Sequence, residues 1–374
     1  MSREAKTYLV YTVITAIIAL ISIGYFVKVH PLGSSQYAKA TVLNKSDLMV
    51  DTTNGMKYRT IKVFIKSGQY KGQKVDIKNY ENLNPLWSIN PNEGDNIILY
   101  INKDSSNGSK FNIFTYERDT TIYLLVIIFV ALLLLFGGLK GLKSLLSLII
   151  TLILILTVII PSAMKGKSPV TTAVIIAFTV SFLSFLLIAG FSKKSLSAII
   201  GTSVGLITSG IIVHITGITA HITGYGTEEA LILRNMLPKG ANLQGIVLAS
   251  FIIGAVGALI DTTISIPSAI EEVKNANPDS PAKTLIHSGL NVGRDIMGAM
   301  SNALILAYVG GSMMLLILFT SVNAPLMNIL NSEIVATEMI RMFAGSIGLI
   351  VSIPATAVIA GWIYARRKEE ADEI

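Results

Sequence analysis

Asp261 is a carboxylate in a stretch that carries no other ionisable group from Gln244 to Ile270. A stretch of that length and apolarity reads as a membrane-crossing helix. A charge at the centre of such a helix costs about 2.5–3.5 kcal/mol even on a lenient insertion scale. A carboxylate kept there either takes up and releases a cation, most simply a proton, or locks helix register as half of a buried pair. Gly254, Gly257 and Asp261 share one helical face, where small residues admit a neighbouring backbone. Thr262, Thr263 and Ser265 add hydroxyls that can bond the carboxylate or hold water. Arg294-Asp295 opens the next apolar segment, after the small pair Gly289 and Gly293 and before Gly298, Ser301 and Asn302. Packing of the two small ridges would bring Asp261 near Arg294 or Asn302. The expected relay comprises Asp261, Arg294, Asp295, Ser301, Asn302 and Thr262, with Gly254, Gly257, Gly289 and Gly293 as packing residues. Desolvation and a neighbouring guanidinium would oppose each other in setting its charge state.

The elements that must hold these residues are mostly membrane helices. The chain has 374 residues, 52% hydrophobic and 14% charged, against nearer a quarter charged in a soluble domain. The fold expected is a polytopic α-helical membrane protein of about eight spans with a small extracytoplasmic antiparallel β domain, an OB-like barrel. The first apolar segment, residues 8–28, is too long for a signal-peptide core and is read as an uncleaved anchor. Residues 29–118 hold five short apolar or alternating runs, Ala38–Val42, Tyr58–Ile65, Lys74–Ile77, Asn96–Ile101 and Phe111–Tyr116, separated by turn signals such as Asn92-Glu93-Gly94-Asp95. Tyr70, Tyr80, Trp87 and Tyr100 are read as its core, with an extracellular ligand site as the alternative. Apolar segments follow near 120–138, 144–163, 169–190, 195–217, 243–266, 284–320 and 335–364. The domains expected are 1–28, 29–118, 119–242 and 243–374, the last a core with a cytoplasmic C-terminus. Pro267 is expected to kink or end the helix carrying Asp261.

Short-loop lysines and arginines set orientation. With the N-terminus inside, the inner face carries Lys140, Lys143, Lys193, Lys194, Lys274, Lys283 and Arg366-Arg367-Lys368, and the outer loops carry Lys165, Lys167, Arg234 and Arg341. Both termini are then cytoplasmic and residues 29–118 extracytoplasmic. The net charge of +7 belongs to this pattern and is not a nucleic-acid signal. With no cysteine, disulfides, thiolate metal sites and cysteine nucleophiles are excluded. Zinc-protease, serine-hydrolase and P-loop signatures are absent. His214 and His221 read as interfacial rather than as metal ligands. Glu338 and Arg341 have the spacing of a helical ion pair, and Gly201 and Gly205 that of a packing pair.

Residues 243–320 resemble the YibE/F family of bacterial membrane proteins. The resemblance is carried by Gly254-Ala-Val-Gly-Ala-Leu-Ile-Asp261, Ile270-Glu-Glu272, Ser288-Gly-Leu-Asn-Val-Gly-Arg-Asp295 and Ser301-Asn-Ala-Leu-Ile-Leu-Ala-Tyr308, and extends over nearly the whole chain. The order of these motifs is also similar, more distantly, to SecD/SecF and other RND-superfamily permeases. In those, an aspartate of one core helix and an arginine or polar residues of the next serve proton-driven conformational change. That resemblance implies Asp261 as the aspartate, Arg294 as the arginine and Ser301-Asn302 in place of paired threonines. The chain departs from the plan in its shorter β-rich outer domain and in seven later helices where an RND half has five. The permeases use two halves, which implies a homodimer or a paralogue partner here.

The function expected is a cation-coupled, proton-driven membrane transporter or export accessory, acting on an extracytoplasmic substrate or protein partner. The alternative is a non-transporting scaffold whose β domain binds a partner. No enzymatic activity, cofactor, metal or nucleic acid is expected; the lipid bilayer is the one certain partner.

Overall fold

Alternating side chains build the N-terminal sheet. Ala38, Ala40 and Val42 of β1 (Tyr37–Lys45), Ile61, Val63 and Ile65 of β3 (Lys57–Ile65), and Ile97, Leu99 and Ile101 of β5 (Asn96–Ile101) are all buried. Burying every second residue puts one face of each strand on a common core. β2 (Met49–Val50), β4 (Lys74–Tyr80) and β6 (Phe111–Tyr116) complete it. In this computed structural model, which describes residues 36–51, 55–81, 89–102, 111–238 and 241–365, all strand pairs are antiparallel. The order is β2-β3-β1-β5-β6, with β4 on β3. The apolar segment at 8–28, Trp87 and Arg366-Arg367-Lys368 lie outside the described residues.

The five expected runs all became strands, and β2 is additional. Of the aromatics expected in the core, Tyr70 packs there against Phe111. Tyr80 and Tyr100 do not. Tyr80 is exposed, with its hydroxyl on Asp51 at 2.9 Å, and Tyr100 stacks on Tyr37 outside the core. Their strand parity assigns them to the outer face.

The helices are α1 (Asp119–Leu154), a π-helical turn Ile155–Ile159, α2 (Ile160–Met164), α3 (Pro169–Ala189), α4 (Lys193–Thr219), α5 (Glu228–Met236), α6 (Leu243–Ala276), α7 (Ala282–Gly311), α8 (Met313–Ser321), α9 (Leu326–Leu330) and α10 (Glu333–Ala365). Side-chain caps start four of them: Ser168 on Thr171 N–H, Ser192 on Ser195 N–H, Thr227 on Ala230 N–H and Asn242 on Gly245 N–H. Among the described residues five helices are long and apolar enough to cross a membrane, or six if the α7–α8 pair, bent by 57°, is one broken span. The protein is thus a helical membrane protein with a small antiparallel β domain, but the described residues do not give eight separate spans. Segments 120–138 and 144–163 follow each other without a loop in the 46-residue stretch Asp119–Met164, as two helices that meet at a kink at Gly138 (φ 51°, ψ −132°). Gly138 has the positive φ that glycine tolerates. α6 does not end at Pro267 but continues to Ala276; a membrane helix tolerates the lost backbone bond when neighbours pack around it, and Pro267 is buried.

The described residues form two compact units, one with the sheet and α1 as far as Phe136, the other from Gly137 onward. In the second unit α3, α4, α6, α7 and α10 share one apolar core, including Phe185, Leu206, Ile252, Leu259, Ile266 and Leu349. Close helix approach is set by small residues. A Cβ on Gly205 would meet Ser352 Cβ at 2.9 Å, and one on Gly201 would collide with Thr356. The Gly201–Gly205 pair therefore packs α4 on α10.

Candidate functional site

Asp261 lies near the middle of α6, on its exposed side. It lines a groove of about 370 Å³ between α1, α3 and α6. The α6 wall is Gly254, Gly257, Ile260 and Asp261; α1 contributes Ser144, Ser147 and Thr151. Those three α1 residues recur at i, i+3 and i+7 and so share one helical face. Ser147 Oγ is 2.5 Å from Ser184 Oγ on α3, and Thr151 Oγ1 donates to Ser147 O at 2.8 Å. The groove thus presents one carboxylate and a ladder of hydroxyls in an apolar frame. Hydroxyls both donate and accept, which suits them to hold water or pass a proton beside a carboxylate.

Among the described residues no cation forms an ion pair with Asp261, whereas Lys39 pairs with Glu117 and Asp119, and Arg341 with Glu338. Arg294 is exposed on α7, and its guanidinium donates to Asn291 Oδ1 at 3.0 Å. The expected meeting of Asp261 with Arg294 is therefore not made within one chain. The physical reason is helical phase. Gly289 and Gly293 face the core, where a Cβ on Gly289 would lie 2.6 Å from Ile270 and one on Gly293 would collide with Ile353. Asn291, Arg294, Asp295, Gly298 and Asn302 fall on the other side of α7 and are exposed. Reading all of these as one ridge ignores the 100° advance per residue.

The neighbouring hydroxyls do not bond the carboxylate either. Thr263 Oγ1 is paired with Thr202 Oγ1 at 2.6 Å, and Ser265 donates to the Asp261 backbone carbonyl at 2.7 Å. Thr262 Oγ1 and Ser301 Oγ are buried with no hydrogen-bond partner. Each such atom costs roughly 1–3 kcal/mol. Of the expected packing glycines, Gly254, Gly289 and Gly293 make close contacts, and Gly257 faces open space in the groove wall.

Sequence reasoning missed two contributors. The hydroxyl face of α1 was visible as Ser144-x-x-Ser147-x-x-x-Thr151, but nothing in the spacing says that it meets α6. Tyr308 was quoted only within a motif, yet its hydroxyl abuts Gly254 and Arg341 stands over its ring at 5.9 Å. Arg341 donates to both Glu338 oxygens at 2.8 and 3.0 Å and lies 5.0 Å from the Phe251 ring centre. The expected Glu338–Arg341 pair is formed. Among the described residues no group of three or more His, Asp and Glu side chains is placed to hold a metal.

The family model for YibE/F-like proteins matches residues 125–366, well over half of the chain, and the protein belongs to that family. The match begins within α1 and leaves the sheet outside it. No curated protein and no solved structure matches the chain.

Proposed function

We propose that this YibE/F-like protein is a proton-coupled membrane transporter or export accessory in which Asp261 carries the coupling ion. The observation that carries the reading is an unpaired carboxylate at mid-helix, in a groove lined by Ser144, Ser147 and Thr151. A structural ion pair needs a partner; a proton site needs access and hydroxyls or water, which the groove supplies. The β domain would then receive an extracytoplasmic substrate or partner. Its pairing order, β1–β3–β4 on one side and β1–β5–β6 on the other, supports an OB-type barrel.

The exposed polar face of α7 supports a second copy. Arg294 and Asp295 facing lipid would each cost about 2.5–3.5 kcal/mol. Asn291, Gly298 and Asn302 extend the same stripe. Two copies packed through this stripe would bury these charges against each other, and Arg294, Asp295 and Asn302 would join the relay there. The similarity to SecD/SecF and RND permeases adds an analogy of residue order to this reading and no more.

Orientation and span count follow the same reading. Lys193 lies over the Tyr364 ring at 5.8 Å near the end of α10, and Gly361 packs on Ile286 near the start of α7. Lys193, Lys274 and Lys283 therefore gather at one end of the bundle, the cytoplasmic one by the positive-inside rule. The 46 residues of Asp119–Met164 would span roughly 69 Å if straight, at about 1.5 Å per residue, more than twice the hydrocarbon thickness, but they kink at Gly138. Reversal at Gly138 would make them two passages, and with residues 8–28 the count approaches eight.

The test is proton flux into proteoliposomes carrying an entrapped pH dye under an imposed gradient. Wild type and Asp261→Glu dissipate the gradient faster than Asp261→Asn. Equal rates in folded protein would instead leave the scaffold reading.

A further inference from the structure

Tyr37, Tyr100 and Phe114 gather on the outer face of the sheet. The Tyr37 ring lies 5.5 Å from Tyr100 and 5.1 Å from Phe114, and Tyr37 and Phe114 are 38% and 51% exposed. The face of an antiparallel sheet turned to water is ordinarily polar. What this face meets is indicated by the chain that follows. Lys39 is on the same face as Tyr37, two positions along β1. Its ammonium bonds Glu117 Oε1 at 2.9 Å and Asp119 Oδ2 at 2.6 Å. Asp119 is the first residue of α1. The chain leaving β6 stays paired with β5, where Glu117 N–H donates to Asn96 O, and Lys39 ties the start of α1 to the outer face of the sheet. From Ile122 to Phe136 α1 is apolar and largely exposed.

We infer that the Tyr37–Tyr100–Phe114 face seats in the headgroup layer of the bilayer that α1 enters, so that the sheet lies on the membrane as an aromatic interfacial anchor. Tyrosine, an apolar ring with a hydroxyl tip, suits that layer, and the Phe114 ring adds apolar area to it. Thr41 and Asn96, bonded to each other at 2.7 Å, and Lys66, bonded to Asn96 Oδ1 at 3.0 Å, supply a polar border beside it. The inference rests on α1 entering the bilayer and is independent of the Asp261 relay. Tyr80 offers an internal reference. Ala40 pairs with Ile65 and Tyr80 with Tyr58, further along β3, so Tyr80 lies roughly 23 Å or more from the aromatic face at about 3.3 Å per residue.

The experiment uses the full chain with its two tryptophans, Trp87 and Trp362, replaced by phenylalanine, and single tryptophans introduced as Phe114→Trp, Tyr37→Trp or Tyr80→Trp. Each variant is reconstituted into phosphatidylcholine–phosphatidylglycerol vesicles containing lipid brominated near the headgroup or, separately, near the chain end. The inference expects tryptophan at 114 and at 37 to lose about half of its emission to the shallow bromines and little to the deep ones, as interfacial rings do, while tryptophan at 80 keeps its emission. Unquenched emission at 114 and 37 in protein that retains its circular-dichroism spectrum would overturn it. So would equal quenching at all three sites, which signals non-specific adsorption. A blue-shifted but unquenched tryptophan at 114 would overturn it in favour of a protein occupant.

Discussion

The Tyr308 hydroxyl stands 2.7 Å from the point where a Cβ on Gly254 would lie, so α7 meets α6 on the same strip that carries Asp261. One turn away, Gly257 has nothing within 4 Å of that point and forms groove wall. The strip therefore changes from packed to open as it approaches the carboxylate.

This predicts opposite responses from chemically identical changes. Gly293→Ala drives a methyl into Ile353 and should cost about 1–3 kcal/mol by overpacking. Gly257→Ala should be neutral or gain about 0.5–1 kcal/mol, because helical glycine is entropically poor. Melting temperatures in detergent compare them; equal losses would contradict the packing described.

A second prediction concerns the exposed face of α7. The chain has no cysteine, so single cysteines report proximity without background. Asn302→Cys should form disulfide-linked dimers in native membranes, whereas Ile207→Cys on exposed α4 should not. Absence of dimers at both Asn302→Cys and Asn291→Cys would remove the second copy from the account.

The anchor at the start of α1 should impose a pH window on the sheet. Hydrogen bonds that it donates to Asp119 and then Glu117 hold the Lys39 ammonium above its ordinary value of 10.5. The bond from Lys39 holds the Glu117 carboxyl below its ordinary 4.5. A raised lysine contributes stability below 10.5 that is lost as pH rises through its folded value; a lowered carboxylate contributes above 4.5 and loses it as pH falls through its folded value. Amide exchange in β1 and β5, corrected for intrinsic rates, should be slowest between those limits. Glu117→Gln should blunt the acid limb, and Lys39→Met should cost about 0.5–1 kcal/mol, as partly exposed pairs do.

Glu333 makes a comparable clamp at the start of α10. Its carboxylate accepts the N–H groups of Thr223 and Gly224 at 2.8 and 2.7 Å, together with the Thr223 hydroxyl. Bonds to a charged group are worth about 1.5–3 kcal/mol each. Glu333→Ala should accelerate exchange at those two amides by roughly tenfold to a hundredfold, leaving the α6 core unchanged. No acceleration would mean that the loop is held by other contacts.

The sheet was legible because its strands alternate: Ala38, Ala40 and Val42 announce β1. Met49–Val50 is too short for any alternation. The break at Gly137-Gly138 was legible, as were helices on either side of it; that helix resumes directly after Gly138, with no loop before residue 144, was not. Likewise Gly310-Gly311 signals the bend between α7 and α8, which a hydropathy window averages away. Asp261 was legible as a lone carboxylate in an apolar stretch. Its surroundings were not, because Ser144, Ser147 and Thr151 reach it through tertiary packing. Arg294 was misplaced by grouping it with Gly293, one residue and 100° away.

The most direct test of the central claim is carbodiimide labelling of Asp261 in membranes from about pH 5 to about 9, read by mass spectrometry. The reagent modifies protonated carboxyls in apolar surroundings, and this is the range in which a physiological proton carrier changes charge. The account predicts that Asp261 labels, that labelling follows a single pH-dependent step, and that Gly257→Leu, which fills the groove, suppresses it. No labelling of Asp261 at any pH in folded protein would contradict the account, because a carboxylate that never takes up a proton cannot couple one.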